Sequence, residues 1–443
     1  MNVRSLTAGR PRRWPLVVAI ALAIPVPALA DAVTSWNATA TTVVPRLGSP
    51  QFQARGMAMV QIAVHDALNS IRPRYRSYTG VAPANPGASP DAAVAAAART
   101  ALLALLPDGS AEETTVETAY AAALSAIPDG TAKSDGIAAG TAAAAAILAL
   151  RANDGSANPN RPYVEPLVPG RYQPTPSTPD PTNPAAITPL MQGWAELVPF
   201  ALSRGDQFRV DPSEIFNLAG PVYARAFNQV KTAGDARVRG TAPNSQESDI
   251  GRFWAAGGFN WNPIARGIVA GRSLDRWQNA RLFALLNMAV SDANIAAQDS
   301  KYAYKFWRPV TAIRRAAEDG NPATAADPYW TPLLVTPPYP DYPCNLPSGA
   351  SASAETLRRY FGTDQVPFTR TAIAPVVPLP APLAAMPEKT ITRSYASLSA
   401  AANESAISRV YAGIHFLDGC RASVRQARAV AAFVFTHYLK PIN

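Results

Sequence analysis

The stretch SPQFQARGMAMVQIAVHDALNSI, Ser49 to Ile71, decides the fold class, because its apolar residues recur at helical spacing. Alanine-rich segments of the same kind follow it, and they predict helices over Asp91 to Leu106, Ala111 to Ile127 and Ser134 to Asn153. Small alanine faces let helices approach closely, so mutual packing into a bundle is expected. From Asp154 to Thr188 the text turns to Pro, Asn, Gly and Ser without periodicity, which reads as a long crossover loop within one domain. A second helical set is predicted over Glu214 to Thr232, Ser245 to Ala256, Ile264 to Ala297 with breaks, and Asp299 to Arg315. A proline-rich loop, Pro322 to Pro347, precedes helices near Ser348 to Phe361, Thr390 to Ala412 and Ala422 to Leu439. Alternating β-branched runs are scarce and no repeat period is evident, so the expected fold is all-α, a helical bundle with long proline-rich loops.

The first thirty residues stand apart. MNVRSLTAGRPRRWPLVVAIALAIPVPALA has a basic start, an apolar middle broken by Pro25 and Pro27, and a small-residue ending at Ala28 to Ala30. This predicts a signal peptide over 1–30, a periplasmic or secreted mature protein, and one domain over 31–443, divided into amino-terminal helices (31–190) and a second part (191–443). Without Arg4, Arg10, Arg12 and Arg13 the chain keeps 36 basic residues against 31 acidic, a net charge of +5 in place of +9. So small an excess does not suit a nucleic-acid partner, and no integral membrane span is expected in the mature chain.

Chemistry concentrates in two segments. In KYAYKFWRP, Lys301 and Arg308 are seven residues apart, nearly two helical turns, and Pro309 discourages helix at Arg308, which puts both cations near a helix end. A solvated basic face with Lys305 is the competing reading. In SRVYAGIHFLDG, His415 lies between Ile414 and Phe416, a setting that also suits a core histidine, while Gly413 lets backbone come close to whatever the histidine faces. Taken together, Lys301, Arg308 and Arg409 offer cationic donors for an oxyanion, His415 a neutral nitrogen for its central atom, and Pro-Ser-Gly at 347–349 further N–H groups and a hydroxyl at a helix start.

These residues resemble the three-part signature of the vanadium-dependent haloperoxidases and the related type 2 phosphatidic acid phosphatases and acid phosphatases: Lys, six residues, Arg-Pro; Pro-Ser-Gly-His; Ser-Arg, five residues, His. Lys301, Arg308 and Pro309 match the first part, and Ser408, Arg409 and His415 the third. The wider text, such as GWAELVPFALSRGDQFR and SDANIAAQDSKYAYKFWRPVTAIR, is similar to the exported bacterial haloperoxidase-like branch. The resemblance implies an all-helical fold with vanadate, or phosphate in its place, bonded by His415 and held by Lys301, Arg308, Arg409, Ser348, Gly349 and Asn345. It also implies hydrogen peroxide and a halide or small organic substrate as partners, with the halide oxidised to a hypohalous species.

The middle motif departs from that pattern. Matching Pro347, Ser348 and Gly349 puts Ala350 at the histidine, whereas a gapless count puts Cys344, Asn345 and Leu346 at Ser-Gly-His; in either register an acid–base histidine is missing. The supporting aspartate is out of step too, with Asp418 one residue early, so Asp418 or a backbone carbonyl is expected to orient His415, with Ser408 as a further supporting residue. In this fold Cys344 and Cys420 should lie on neighbouring walls of one pocket, and a disulfide between them is expected. Three readings follow: a haloperoxidase weakened by the lost histidine, an acid phosphatase with His415 as nucleophile, and a non-catalytic oxyanion-binding descendant.

Overall fold

Side chains that accept backbone N–H groups start many of the helices: Asp31, Ser89, Ser110, Asp275 and Ser397 each cap a first turn. The structure, a computed structural model, describes residues 31–176, 186–257 and 260–442, so the expected signal peptide lies outside the described residues. The first helices are α1 (Ala32–Val43), α2 (Pro50–Ile71), α3 (Pro90–Leu103), α4 (Ala111–Ser125) and α5 (Thr131–Arg151). The small faces of α3 and α5 do bring backbones together. A Cβ added at Gly140 would lie 2.2 Å from Ala93 O, and one at Gly136 would lie 2.4 Å from Ser89 O.

After the crossover, whose described residues carry the short pair β1 (Thr175–Pro176) and β2 (Ala186–Ile187), the chain forms α6 (Pro221–Ala233), α7 (Ala236–Thr241), α8 (Gln246–Ala255) and α9 (Asn262–Ala270). Then comes α10 (Arg276–Tyr304), 29 residues without the break expected near residue 298. No Gly or Pro interrupts it, and a capping box of Asp275 and Gln278 starts it, so the break falls before residue 276 instead. The last helices are α11 (Pro309–Arg314), α12 (Asn345–Phe361), α13 (Leu398–Tyr411) and α14 (Leu417–His437).

One expected helix begins as a strand. Residues 389–395 form β4 (Lys389–Tyr395), antiparallel to β3 (Phe368–Ala374), with Thr371 opposite Thr392. TRTAIA and TITRSY alternate at period two, and the helix starts only where Ser397 caps α13. Helices still dominate, and none among the described residues is long and apolar enough to cross a membrane.

α10 is the central post, in contact with α2, α12 and α14. One apolar cluster runs through α1, α2, α3 and α5 into α10, α12 and α14. From within it, Asp292 of α10 accepts the N–H groups of Phe200, Ala201 and Leu202 at 2.7, 2.7 and 3.0 Å, which fastens the segment that follows the crossover against the post. A second cluster, rich in aromatics (Phe306, Trp307, Trp330, Tyr342, Phe416), backs the chain where α10 ends and α14 begins.

Candidate oxyanion site

Lys301 lies in the last turn of α10, which ends where Lys305 takes a left-handed conformation (φ +52°). As Pro309 requires, Arg308 is extended (φ −86°, ψ 156°) and caps α11. The two cations are buried, so the solvated-face reading fails. Lys301 Nζ donates to Pro340 O at 2.8 Å, to Asp341 O at 3.0 Å and to Pro343 O, so its three N–H bonds are all engaged. Arg308 donates through Nε to Tyr339 O and through Nη1 to Ile414 O, both at 2.7 Å. The Tyr339 ring stacks beneath both cations, 5.1 Å from Lys301 Nζ and 5.0 Å from Arg308 Cζ.

His415 enters from the turn before α14. Its Nε2 is 2.7 Å from Arg308 Nη1, which can only donate, so Nε2 carries the lone pair. Burial, reinforced by the charges of Arg308, Lys301 and Arg409, holds the imidazole well below its usual range and therefore neutral. On the other side of the ring, Nδ1 is 2.9 Å from Asp341 Oδ1, a close contact that does not make a hydrogen bond. Asp341, not Asp418, is thus the carboxyl beside His415. Asp418 sits in the first turn of α14 and is only partly buried. Asp341 escaped the sequence reading although an acidic residue in an apolar, proline-rich loop signals a buried partner.

A cavity of about 300 Å³ is walled by Tyr339, Cys344, Asn345, Leu346, Arg409 and His415. The gapless register is the one whose residues face it: α12 begins at Asn345, so Cys344, Asn345 and Leu346 form its cap and first turn. Ser348 and Gly349 are not on the wall; the Ser348 hydroxyl donates to Ala293 O of α10 at 3.1 Å. Ala350 is in the apolar core. Ser408 is turned inward as well, donating to Ser405 O of its own helix at 2.7 Å. Gly413 (φ +76°) is needed for a different approach than expected, since a Cβ there would lie 2.4 Å from Gly234 O and 2.8 Å from Pro332 Cα. The other histidines are elsewhere: His65 pairs with Asp66 at 2.8 Å inside α2, and His437 with Phe433 O on the surface of α14.

Cys344 and Cys420 do come together, but as free thiols rather than a disulfide, and of the two Cys344 lines the cavity. Their sulfurs and a His415 nitrogen all lie within 4.8 Å of one another, and Cys344 N donates to Gly419 O at 3.2 Å, which pins the two segments side by side. Burial opposes ionisation of the Cys344 thiol, but a hydrogen bond from Cys420 and the charges of Arg409, Lys301 and Arg308 outweigh it and bring the group down. Burial and that same bond push Cys420 well up.

Arg308 Nη2, Arg409 Nη1 and both polar atoms of the Asn345 side chain are buried without a partner. Each such group costs about 1–3 kcal/mol when left unpaired, so a ligand that accepts from several of them is favoured. Two guanidinium N–H groups, an amide and the start of a helix suit an oxyanion of the vanadate or phosphate type.

The charge of this site falls as pH rises. Burial and Arg308 pull Lys301 down to about 7, and burial lifts Asp341 to about 8 against the charges of Arg308 and Lys301. A positive charge is lost through the first value and a negative one gained through the second, and the lowered Cys344 thiol on the same wall adds to the negative charge gained. Sulfate, whose own charge is constant here, should therefore bind more weakly by up to about tenfold per pH unit between them. Titration calorimetry from pH 6 to 9 reads this as a falling affinity, flattened at its lower end in Lys301→Met and at its upper end in Asp341→Asn. A flat profile in the unmodified protein would contradict the assignment.

Comparison with known proteins gives this arrangement its relatives. Residues 281–443 match the family of the VCPO second helical-bundle domain. The vanadium chloroperoxidase of Curvularia inaequalis is 28% identical over 159 residues, a match that takes in 30% of this chain and 26% of that protein. In fold, the chain is similar to a bacterial vanadium-dependent iodoperoxidase (TM-score 0.72, 22% identity) and a holo-type bacterial vanadium-dependent chloroperoxidase (TM-score 0.72, 18% identity), each alignment covering 92% of this chain and 97% of the other. The resemblance read from the motifs therefore stands: the carboxy-terminal part shares sequence with the vanadium haloperoxidases, and nearly the whole chain shares their helical fold.

Proposed function

We propose that this chain, a relative of the vanadium haloperoxidases, binds vanadate in the cavity beside His415 and oxidises a halide with hydrogen peroxide, slowed by the absence of an acid–base histidine. The observation that carries the reading is the convergence of the neutral His415 Nε2 with the unpartnered N–H groups of Arg308 and Arg409. His415 Nε2 would bond the metal on giving up its contact with Arg308 Nη1, and Arg308, Arg409, Asn345 and the first turn of α12 would hold its oxygens. Bound there, vanadate supplies a Lewis-acid centre for peroxide without changing oxidation state. The chain's own part is electrostatic: two fixed guanidinium charges, excluded from water, stabilise negative charge that develops beside them. Lys301 adds its charge from behind, since its N–H groups are spent on carbonyls. Leu346 adds no proton. The expected signal peptide makes this an exported enzyme, and a small organic acceptor is the natural recipient of the oxidised halogen.

The engaged Lys301 and the apolar Leu346 also support a second reading, in which the cavity binds vanadate or phosphate without turnover. Orthovanadate added to the purified vanadate-free protein separates the readings, with peroxide-dependent bromination measured beside phosphate-ester hydrolysis. The proposal expects bromination that appears with vanadate and is suppressed by excess phosphate. Tight vanadate binding with no bromination establishes the second reading instead, and hydrolysis inhibited by vanadate establishes an acid phosphatase.

A further inference from the structure

We propose that Cys344 and Cys420 form a peroxide-reducing thiol pair, a second chemistry in the same cavity that needs no vanadate. Three features of the structure carry this. Cys344 stands on the cavity wall at the cap of α12, where peroxide can reach it. Cys420 lies beside it in the first turn of α14; both thiols are buried from bulk water, but Cys344 lines the cavity and Cys420 is not among the residues that do. Ala406, Leu417 and Val424 pack around the pair, leaving the cavity side as the polar approach, where Arg409 can stabilise a departing hydroxide.

The step balances with peroxide as oxidant. Cys344 Sγ attacks one oxygen of hydrogen peroxide, the O–O bond breaks, and the hydroxide that leaves takes the thiol proton as water, giving a sulfenic acid at Cys344. Cys420 Sγ then attacks Cys344 Sγ, the S–O bond breaks, and the second water leaves with the Cys420 proton as the S–S bond forms. The sulfurs close from within 4.8 Å to the bonding distance of about 2 Å. Two thiols have lost two electrons and one peroxide has become two waters; an external dithiol, itself oxidised to a disulfide, restores the pair. In a peroxide-using enzyme the pair also consumes excess oxidant, but its chemistry stands apart from the vanadate reading.

Cys344, Cys420 and His415 are also a geometrically fair set for a soft metal cation. Arg308, 2.7 Å from His415 Nε2, and Arg409 on the same wall make that the poorer occupant.

The experiment uses the reduced full-length mature protein, freed of vanadate and metals, with one equivalent of hydrogen peroxide and intact-mass readout. The expected result is loss of the mass of two hydrogens, reversed by dithiothreitol. In Cys420→Ser the reaction should stop with one added oxygen that dimedone traps at Cys344. In Cys344→Ser, Cys420 should react at least about tenfold more slowly, since it is shielded. Two thiols still alkylatable after peroxide in the parent protein would overturn the proposal. So would a stoichiometric metal, held by the purified protein, that Cys344→Ser and Cys420→Ser each release. Bromination is not part of the readout, so failure of the vanadate reading leaves this result interpretable.

Discussion

Replacing Leu346 by histidine should raise vanadate-dependent bromination by about 10²- to 10⁴-fold, the range over which a positioned acid–base group acts. The position follows from geometry: Leu346 lies in the first turn of α12 and on the wall of the cavity that His415 and Arg409 also line. The same substitution one turn on, Ala350→His, should give no gain. Ala350 is fully buried in the apolar core, and the added ring would overpack it at a cost of about 1–3 kcal/mol. Leu346 contacts that core as well, so Leu346→His carries its own penalty, at most the roughly 1.5–3 kcal/mol of a buried leucine. Steady-state kinetics with thermal unfolding on both variants makes the comparison. A folded Leu346→His protein with unchanged kcat would contradict the role given to this position, and a gain in Ala350→His would favour the shifted register.

The second large effect concerns His415. Substituting alanine should abolish bromination and weaken vanadate binding by well over about 10²-fold, because loss of a partner one bond further out already costs about 10- to 100-fold. Sulfate, which forms no bond to a histidine nitrogen, should lose far less, since Arg308 and Arg409 remain. The split between the two anions is the informative readout: equal losses would mean that His415 only shapes the cavity. Asp341→Asn refines the same point. At neutral pH burial keeps the Asp341 carboxyl protonated, with a value of about 8, so the amide should change binding little there and more above that pH.

Much of this was legible in the text of the chain. Apolar periodicity located α2 to within one residue and the alanine-rich helices to within a few, since helical contacts lie three and four residues apart and leave a local imprint. The hairpin β3–β4 was also written in alternating TRTAIA and TITRSY, but a proline-rich gap separates its strands and hid their pairing. Lys301, Arg308, Arg409 and His415 were legible because two motifs keep fixed spacings at helix ends, where the backbone conformation is set by one proline and a cap.

Local pattern was enough for the helical class and for putting forward four charged or imidazole groups as candidates for the site. It took the packed chain to show that Asp341 and not Asp418 stands beside His415, that Leu346 and not Ala350 faces the cavity, that Ser348 turns to α10, and that the two cysteines rest as neighbouring thiols. The reason is range. Arg308 and His415 are 107 residues apart in the chain and Lys301 reaches carbonyls some 40 residues on, through a loop whose prolines follow no period. Which side chain of such a loop meets the cavity is settled by where α10, α12 and α14 pack against one another, and no local pattern records that.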